Sequence, residues 1–196
     1  MSELAASDLR SVLEIAHLRE TTQASQRVFE GNFLKVNRDT VRLPDGKQAS
    51  REYIVHPGAC AIIPLLPNGN IVMVRQWRHP LQRVFLEFPA GKIDLGEAPL
   101  ATAQRELEEE CGYRAAHWQF LMTYHPVIAY ADEHIDLYLA RDLTKTRTQL
   151  DEGEFVEVCE VALDDLMLQI KTGAVTDSKT IIGAFWLEKL RRSEWS

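Results

Sequence analysis

The chain has 196 residues, of which 45% are hydrophobic, and carries a formal net charge of −7 with a sequence pI near 5.4. This length and hydrophobic content suit one compact enzyme domain and exclude a largely disordered chain. The net negative charge argues against nucleic acid or an anionic membrane as a partner.

The N-terminal segment and the cysteines indicate the cellular compartment of the protein. The segment MSELAASDLRSVLEIAHLRE is acidic and has no long apolar run, which predicts neither a signal peptide nor a membrane span. Cys60, Cys111 and Cys159 are odd in number and unclustered, so we interpret them as reduced core residues. These features predict a cytoplasmic protein.

The predicted elements alternate between strands and a few helices. A short amphipathic helix over 5–17 is followed by strands over 26–33, 35–43, 49–56, 59–66 and 71–77, with turns at Pro44-Asp45-Gly46 and Asn68-Gly69. A helix over 100–111, strands over 117–124, 134–140 and 155–161, and helices over 163–171 and 178–191 complete the chain. In the last helix, the residues expected to pack inward are Ile182, Phe185, Trp186 and Leu190. Strands flanked by helices in this order predict an α+β fold, an α/β/α sandwich with a mixed β-sheet.

The helix over 100–111 carries the densest group of acidic residues. Its apolar stripe, expected to face a core, consists of Leu100, Ala103, Leu107 and Cys111. Glu106 and Glu110, one turn apart, share the adjacent face, and Glu109 lies beside them. Three carboxylates on one rigid surface repel one another unless cations bind between them. Hard oxygen ligands of this kind suit Mg²⁺, and Mn²⁺ as well.

Neighbouring residues support a functional role for this face. Arg105 precedes Glu109 by four residues and can orient it. Gly112 is placed to end the helix, and Gly91 allows the backbone to approach closely. The alternative interpretation of RELEEE is a solvated helix face with pairs of opposite charge, and Glu108 fits that role.

Residues 91–113, GKIDLGEAPLATAQRELEEECGY, match the Nudix box at every fixed letter. The fixed letters are Gly91, Glu97, Arg105, Glu106, Glu109, Glu110 and Gly112, while Tyr113 replaces the usual aliphatic residue. Such a box resembles those of Mg²⁺-dependent hydrolases that cut the pyrophosphate of a nucleoside diphosphate linked to another group. The segments RVFEGNF, DTVRLPDGK, REYIVHPGA, VRQWR, LEFPAGK, DEHIDLYLA and DSKTIIG further resemble the ADP-ribose pyrophosphatase subfamily.

The resemblance implies a set of metal ligands. They are Glu106 and Glu110 together with the backbone carbonyl of Ala90, while Glu109 ligates or positions a second ion. Catalytic roles fall to Arg105 and to a general base, for which Glu133 in a loop before a strand is one candidate and Glu109 is the rival.

The resemblance also implies a set of substrate-binding residues. Arg51 and Arg78 match positions that hold phosphates, since a guanidinium offers a planar fork of donors. The alternative is that both are surface arginines paired with acidic residues. Glu87 matches a carboxylate near the metals, and Phe29 matches an aromatic residue that stacks on the nucleobase.

The implied reaction is hydrolysis of ADP-ribose to AMP and ribose 5-phosphate. GDP-mannose or another nucleotide sugar stays open as the substrate, because Ile128 occupies the place where many ADP-ribose hydrolases have proline, and Pro126 lies two residues early. A non-catalytic nucleotide-sugar-binding protein is a further alternative, although it would be expected to lose box glutamates.

The N-terminal region is expected to mediate a homodimer. Residues 1–45 would form a helix and β-strand extension, and residues 46–196 the hydrolase domain. Apolar residues such as Val28, Phe29 and Phe33 on an exposed strand edge would favour pairing with a second subunit, as in similar enzymes that exchange strands. The alternative is that this hairpin folds back on its own domain.

Overall fold

The computed structural model describes residues 15–150 and 153–195. Within these ranges it contains the strands β1 (Thr21–Glu30), β2 (Lys35–Arg42), β3 (Gln48–Val55), β4 (Ala59–Pro64), β5 (Asn70–Arg78), β6 (Arg83–Glu87), β7 (Ala90–Lys92), β8 (Tyr113–Tyr124), β9 (Ile135–Lys145) and β10 (Val156–Ala162). The helices are α1 (Pro99–Cys111), α2 (Leu163–Lys171) and α3 (Ser178–Arg191). None of the helices in the described ranges has the length and apolar character needed to span a membrane.

Most of the predicted N-terminal helix over 5–17 lies outside the described residues. The part that is described, Ala16–Leu18, forms a short 3₁₀ turn.

The described chain divides into two compact units. The N-terminal unit comprises the described residues up to His56 together with Ala129–Asp132, and its sheet has the antiparallel order β1-β2-β3. Every residue of β1 is exposed. Because β3 pairs with β2 along its whole length, this unit extends past the boundary at residue 45 that the sequence suggests.

The remaining residues form the box unit, which has two sheets. One is antiparallel in the order β10-β5-β6. The other has the order β7-β4-β9-β8 and is mixed, because β4 and β9 run parallel while the outer pairs are antiparallel.

Alternation along β4 and β5 explains how the box unit is layered. Every residue of β4 is buried, yet successive side chains of a strand point to opposite faces. Ala61, Ile63 and Met73 pack in a cluster with residues of α2 and α3. Cys60, Ile62, Val72 and Val74 pack in a second cluster with Ala103 and Leu107 of α1. Strands therefore lie between helices on both sides, which confirms the predicted α/β/α arrangement.

Two inward-facing assignments were wrong. Leu100 is 39% exposed and Phe185 is 45% exposed. Helix α3 packs on its neighbours through Gly183. A Cβ added at Gly183 would lie 2.5 Å from the Phe88 ring. The helix sits so close at this point that its buried face is set by Gly183 and Ala184 and not by the bulkiest side chains.

Strand β1 also differs from the prediction, since it runs from Thr21 instead of residue 26. Its polar residues pair along the full length of β2. Because none of its side chains is buried, it lacks the apolar alternation from which strand limits are predicted. Strands β6 and β7 are both missing from the strands predicted between residue 77 and the helix over 100–111.

Candidate functional site

Helix α1 holds the candidate site, and its ends are defined by local chemistry. Pro99 stands at the start, where the missing N–H costs nothing. Gly112 ends the helix in the left-handed conformation at φ 67°, and its N–H donates to the Glu108 carbonyl at 2.9 Å. Ala103, Leu107 and Cys111 are buried, as predicted, and Tyr113 is buried just beyond the helix. The box carboxylates are thus fixed at the rim of a packed face.

Arg105 donates hydrogen bonds to three glutamates of the box. Its Nη1 donates to Glu106 Oε1 at 2.7 Å and to Glu109 Oε2 at 3.0 Å. Its Nε and Nη2 donate to the two oxygens of Glu97 at 3.1 and 3.0 Å. Hydrogen bonds from Arg105, and then from Thr102, lower the pKa of Glu97 to about 2. Glu97 therefore anchors Arg105, and Arg105 holds two of the three predicted metal-site carboxylates.

Gly91 is required by the position of Glu106. A Cβ added at Gly91 would lie 1.8 Å from Glu106 Oε1 and 1.9 Å from its Cδ. The carboxylate therefore rests against the Gly91 backbone, a space that any other residue would fill. Burial raises the pKa of Glu106, with a further contribution from the charge of Glu109, whereas Arg105 opposes the shift.

Glu110 is the most deeply buried of the box carboxylates. It is 5% exposed, and Oε2 accepts a hydrogen bond from the Ala90 N–H at 3.1 Å. Burial, followed by the charges of Glu106 and Glu154, raises its pKa to about 8. Among the described residues no cationic side chain contacts this carboxylate. A buried acid without a cation is costly to ionise and creates a place for an added positive ion.

The donor set fits a hard divalent cation. Glu106, Glu109 and Glu110 supply only oxygen ligands, as Mg²⁺ and Mn²⁺ prefer. In the described parts of the chain, however, no three acidic, histidine or cysteine side chains converge as a preformed metal site. The Arg105 guanidinium contacts both Glu106 and Glu109 and partly neutralises them.

Glu87 and Arg78 form an ion pair in which the carboxylate is buried and the arginine is partly exposed. Glu87 is 2% exposed, and its two oxygens accept from Nε and Nη2 of Arg78, both at 2.7 Å. Lys179 on α3, itself 7% exposed, also contacts Glu87 Oε2. Both oxygens of Glu87 are thus engaged by cations, which differs from a carboxylate that faces a substrate or metal directly. The side chain of Arg78 is 42% exposed.

A cleft of about 460 Å³ in the box unit brings these residues together with Glu133. Its polar walls include Arg78, Glu87, Asp177 and Lys179, and its apolar walls Leu81, Phe85, Pro126 and Ile135. The charge of Arg78 also lowers the pKa of Glu110, which relates the cleft to the box carboxylates.

Two candidate residues lie in the N-terminal unit. Arg51 donates from Nε to Glu20 Oε2 at 2.9 Å, makes a second contact to Oε1 and donates from Nη1 to the Ser50 carbonyl at 3.0 Å. This pairing is the alternative that the sequence left open for surface arginines. Phe29, on β1, is 53% exposed.

Sequence reasoning missed two charged residues of the site. Glu154, just before β10, raises the pKa of both Glu106 and Glu110 through its charge. The three acidic residues at positions 151, 152 and 154 were the available signal. Lys179 lies in the segment DSKTIIG, where a lysine among residues of a packed helix was the signal.

Comparison with known families gives matches along most of the chain. A model described as the NUDIX domain matches residues 55–182. A model described as the nucleoside diphosphate sugar hydrolase N-terminal domain matches residues 20–54, the segment that contains β1 to β3.

Individual relatives cover nearly the whole chain. The methanol dehydrogenase activator of Bacillus methanolicus is 42% identical over 171 residues, which are 86% of this chain and 92% of that protein. The ADP-ribose pyrophosphatase of Bacillus subtilis (strain 168) is 40% identical over 173 residues, which are 87% of this chain and 94% of that protein. A solved structure described as that of an ADP compounds hydrolase superposes with a TM-score of 0.79 at 19% identity, covers 90% of this chain and 96% of its own, and supports the fold.

Proposed function

This chain belongs to the Nudix hydrolases, and on that premise we propose that it hydrolyses the pyrophosphate bond of ADP-ribose to AMP and ribose 5-phosphate with Mg²⁺ at the box carboxylates. The observation that carries the metal site is the buried carboxylate of Glu110, which no described cation contacts. The choice of ADP-ribose draws support from the 40% identity to a protein named ADP-ribose pyrophosphatase.

Glu106, Glu109, Glu110 and the carbonyl of Ala90 would hold the metal. A bound divalent cation offers charge stabilisation at the pyrophosphate oxygens and a lower pKa for an attacking water. The chain itself contributes the placement of these ligands. Gly91 leaves room for Glu106, and Arg105, anchored by Glu97, fixes Glu106 and Glu109.

Arg78 is proposed to hold a substrate phosphate. Nε and Nη2 are bonded to Glu87, whereas Nη1 donates to none of the described residues. A guanidinium oriented by a carboxylate on one edge presents its other edge to an anion at little entropic cost, since its rotamer is already fixed. Charge-assisted bonds of this kind are stronger than neutral ones.

A carboxylate must accept the proton of the attacking water. Glu133 lines the same cleft as Arg78. Glu109 already accepts a hydrogen bond from Arg105 Nη1 at 3.0 Å, so one of its two oxygens is engaged by a cation. Glu154 is a third candidate because its charge acts on Glu106 and Glu110.

The base candidates are separated by the variants Glu133→Gln, Glu109→Gln and Glu154→Gln. Loss of the base should lower kcat by about 10²-fold or more and flatten the acidic limb of the pH–rate profile. A ligand or positioning residue should instead change the concentration of Mg²⁺ needed for half-maximal rate.

The N-terminal unit is proposed to form a homodimer and to contribute Phe29 and Arg51 to substrate binding. All ten residues of β1 are exposed, with Val28 at 38% and Phe29 at 53%. An edge strand with exposed aromatic and aliphatic side chains invites pairing with another chain, and a second copy satisfies it. For Arg51 to bind phosphate, the anion must replace the Glu20 carboxylate.

The direct test is incubation of the protein and Mg²⁺ with ADP-ribose, GDP-mannose and other nucleotide sugars, followed by chromatography of the products. We expect AMP and ribose 5-phosphate as the main products, from ADP-ribose. If GDP-mannose is turned over faster than ADP-ribose, GDP-mannose becomes the assigned substrate. Binding of nucleotide sugars without turnover in any divalent metal would support a non-catalytic binding protein instead.

A further inference from the structure

Lys179 is a buried cation on the first turn of α3. It is 7% exposed, contacts Glu87 Oε2 and forms an ion pair with Asp177 Oδ1 at 3.1 Å. A lysine is rarely buried to this extent unless it is paired, and here it is paired twice. Its ammonium therefore bridges two carboxylates that would otherwise face each other across the start of the helix.

Both carboxylates that Lys179 bridges accept further hydrogen bonds. Asp177 caps α3 by accepting from the Thr180 N–H at 3.0 Å and from its hydroxyl at 2.6 Å. Glu87 accepts the two bonds from Arg78. The Thr180 hydroxyl also accepts from the Phe88 N–H at 3.0 Å, so the backbone next to Glu87 is tied to the same helix turn. The start of α3 thus fixes Glu87 through its main chain and its side chain.

We propose that Lys179 is a positioning residue for substrate binding, which holds the Glu87 carboxylate so that the Arg78 guanidinium presents its free edge to a phosphate in the cleft. This inference rests on the proposed function, because it deepens the role given to Arg78. Lys179 also lines the cleft, but its ammonium is engaged by Glu87 and Asp177, so the proposed role acts through Glu87 and Arg78.

Charge balance explains why a cation is needed at this position. The cluster contains two cations, Arg78 and Lys179, and two carboxylates, Glu87 and Asp177. Without Lys179, Arg78 would be the one cation beside the buried carboxylate of Glu87 and the partly exposed carboxylate of Asp177. Its guanidinium would then be drawn further into the cluster and away from the cleft, because an uncompensated buried charge is costly.

The primary experiment compares Lys179→Met with Lys179→Arg by steady-state kinetics. We expect Lys179→Met to raise KM by about 10- to 100-fold, with a smaller change in kcat, as for displacement of a binding group by up to about 1 Å. Lys179→Arg keeps the charge and should restore most of the affinity. The matched control is Lys189→Met, which removes a lysine paired with Glu194 on the exposed side of the same helix and should leave KM unchanged.

A double-mutant cycle distinguishes positioning from direct contact. If Lys179 acts through Arg78, adding Lys179→Met to Arg78→Gln should change KM no further. Additive effects, or an unchanged KM in Lys179→Met, would overturn the proposal. If Lys179→Met does not fold, Lys179→Gln takes its place, because its amide can still donate to Glu87 while the positive charge is removed. A KM raised toward that of Arg78→Gln supports the proposal, and a wild-type KM refutes it.

Failure of the proposed function would be recognised separately. Wild-type protein that hydrolyses no nucleotide sugar would count against the proposed reaction. Calorimetric affinity for ADP-ribose without divalent metal would then provide the same comparison between the variants. A weaker affinity in Lys179→Met that returns in Lys179→Arg would still support the positioning role, and equal affinities would refute it.

Discussion

Replacement of Gly91 by alanine tests whether the geometry of the box carboxylates sets the rate. A Cβ at this position would lie 1.8 Å from Glu106 Oε1, 1.9 Å from Cδ and 2.5 Å from Cγ. No van der Waals contact between these atoms is tolerated at such distances, so the end of the Glu106 side chain must move. Arg105, which donates to Glu106 Oε1 at 2.7 Å, would lose this bond or move with it.

The size of the effect follows from the displacement. To relieve the overlap, the carboxylate must retreat by roughly 1 Å or more, and a misplacement of that size costs on the order of 10²-fold in rate. This loss corresponds to about 2.7 kcal/mol of transition-state stabilisation. Folding should be affected much less, because Glu106 is at the rim of the packed face and its flexible side chain can rotate away.

The assay is kcat/KM for ADP-ribose over a range of Mg²⁺ concentrations, together with thermal unfolding. Gly69→Ala is the contrasting control, since an added Cβ meets nothing within 4 Å there but the backbone has φ +86°. We expect Gly69→Ala to lose stability and keep activity. We expect Gly91→Ala to keep most of its stability and lose activity. Wild-type kcat/KM in Gly91→Ala would refute the assignment of Glu106 to the metal site.

Three further predictions concern the substrate clamp, acid stability and assembly. Arg78→Ala should weaken substrate binding by about 1.5 to 3 kcal/mol, measured through KM, and should also lower thermal stability, because the buried Glu87 carboxylate loses one of its two cationic partners; an unchanged KM and kcat would leave Arg78 only its pairing with Glu87. Glu97→Gln should be less stable than the wild type at neutral pH in urea unfolding, and because the pKa of Glu97 is lowered from 4.5 to about 2, the difference should shrink as the pH falls from about 4.5 through about 2; a difference independent of pH would contradict the Arg105–Glu97 anchor. Phe29→Ala should weaken nucleotide binding without changing the Mg²⁺ requirement, and deletion of residues 1–33 should abolish both dimer and activity; light scattering that shows a fully active monomer at micromolar concentration would rule out the dimer.

Much of the fold could be predicted because its signals are local. The apolar run of β4 and the stripe of Ala103, Leu107 and Cys111 indicate buried faces directly. What the sequence could not supply was how closely α3 packs. The contact through Gly183 depends on Phe88, which is far away in the chain, and it turns Phe185 outward.

In the candidate site, too, the local features could be predicted from the sequence and the long-range contacts could not. The box residues form one continuous segment, so their spacing on α1 could be predicted from a helical period. The pairing of Lys179 with Glu87 joins residues separated by 92 positions, and no periodicity connects them. The insertion of Arg105 between Glu106 and Glu109 could not be predicted either, because it depends on side-chain conformation and on the anchoring by Glu97.

The most direct test of a metal-dependent pyrophosphate hydrolase at this helix is the turnover of Glu110→Gln. The substitution removes the charge of the most buried box carboxylate but keeps an oxygen to accept from the Ala90 N–H. We predict that kcat for ADP-ribose falls by on the order of 10²-fold or more, while the thermal unfolding of the metal-free protein stays close to that of the wild type. Near-normal turnover in Glu110→Gln, or full wild-type activity in excess chelator, would contradict the proposed site.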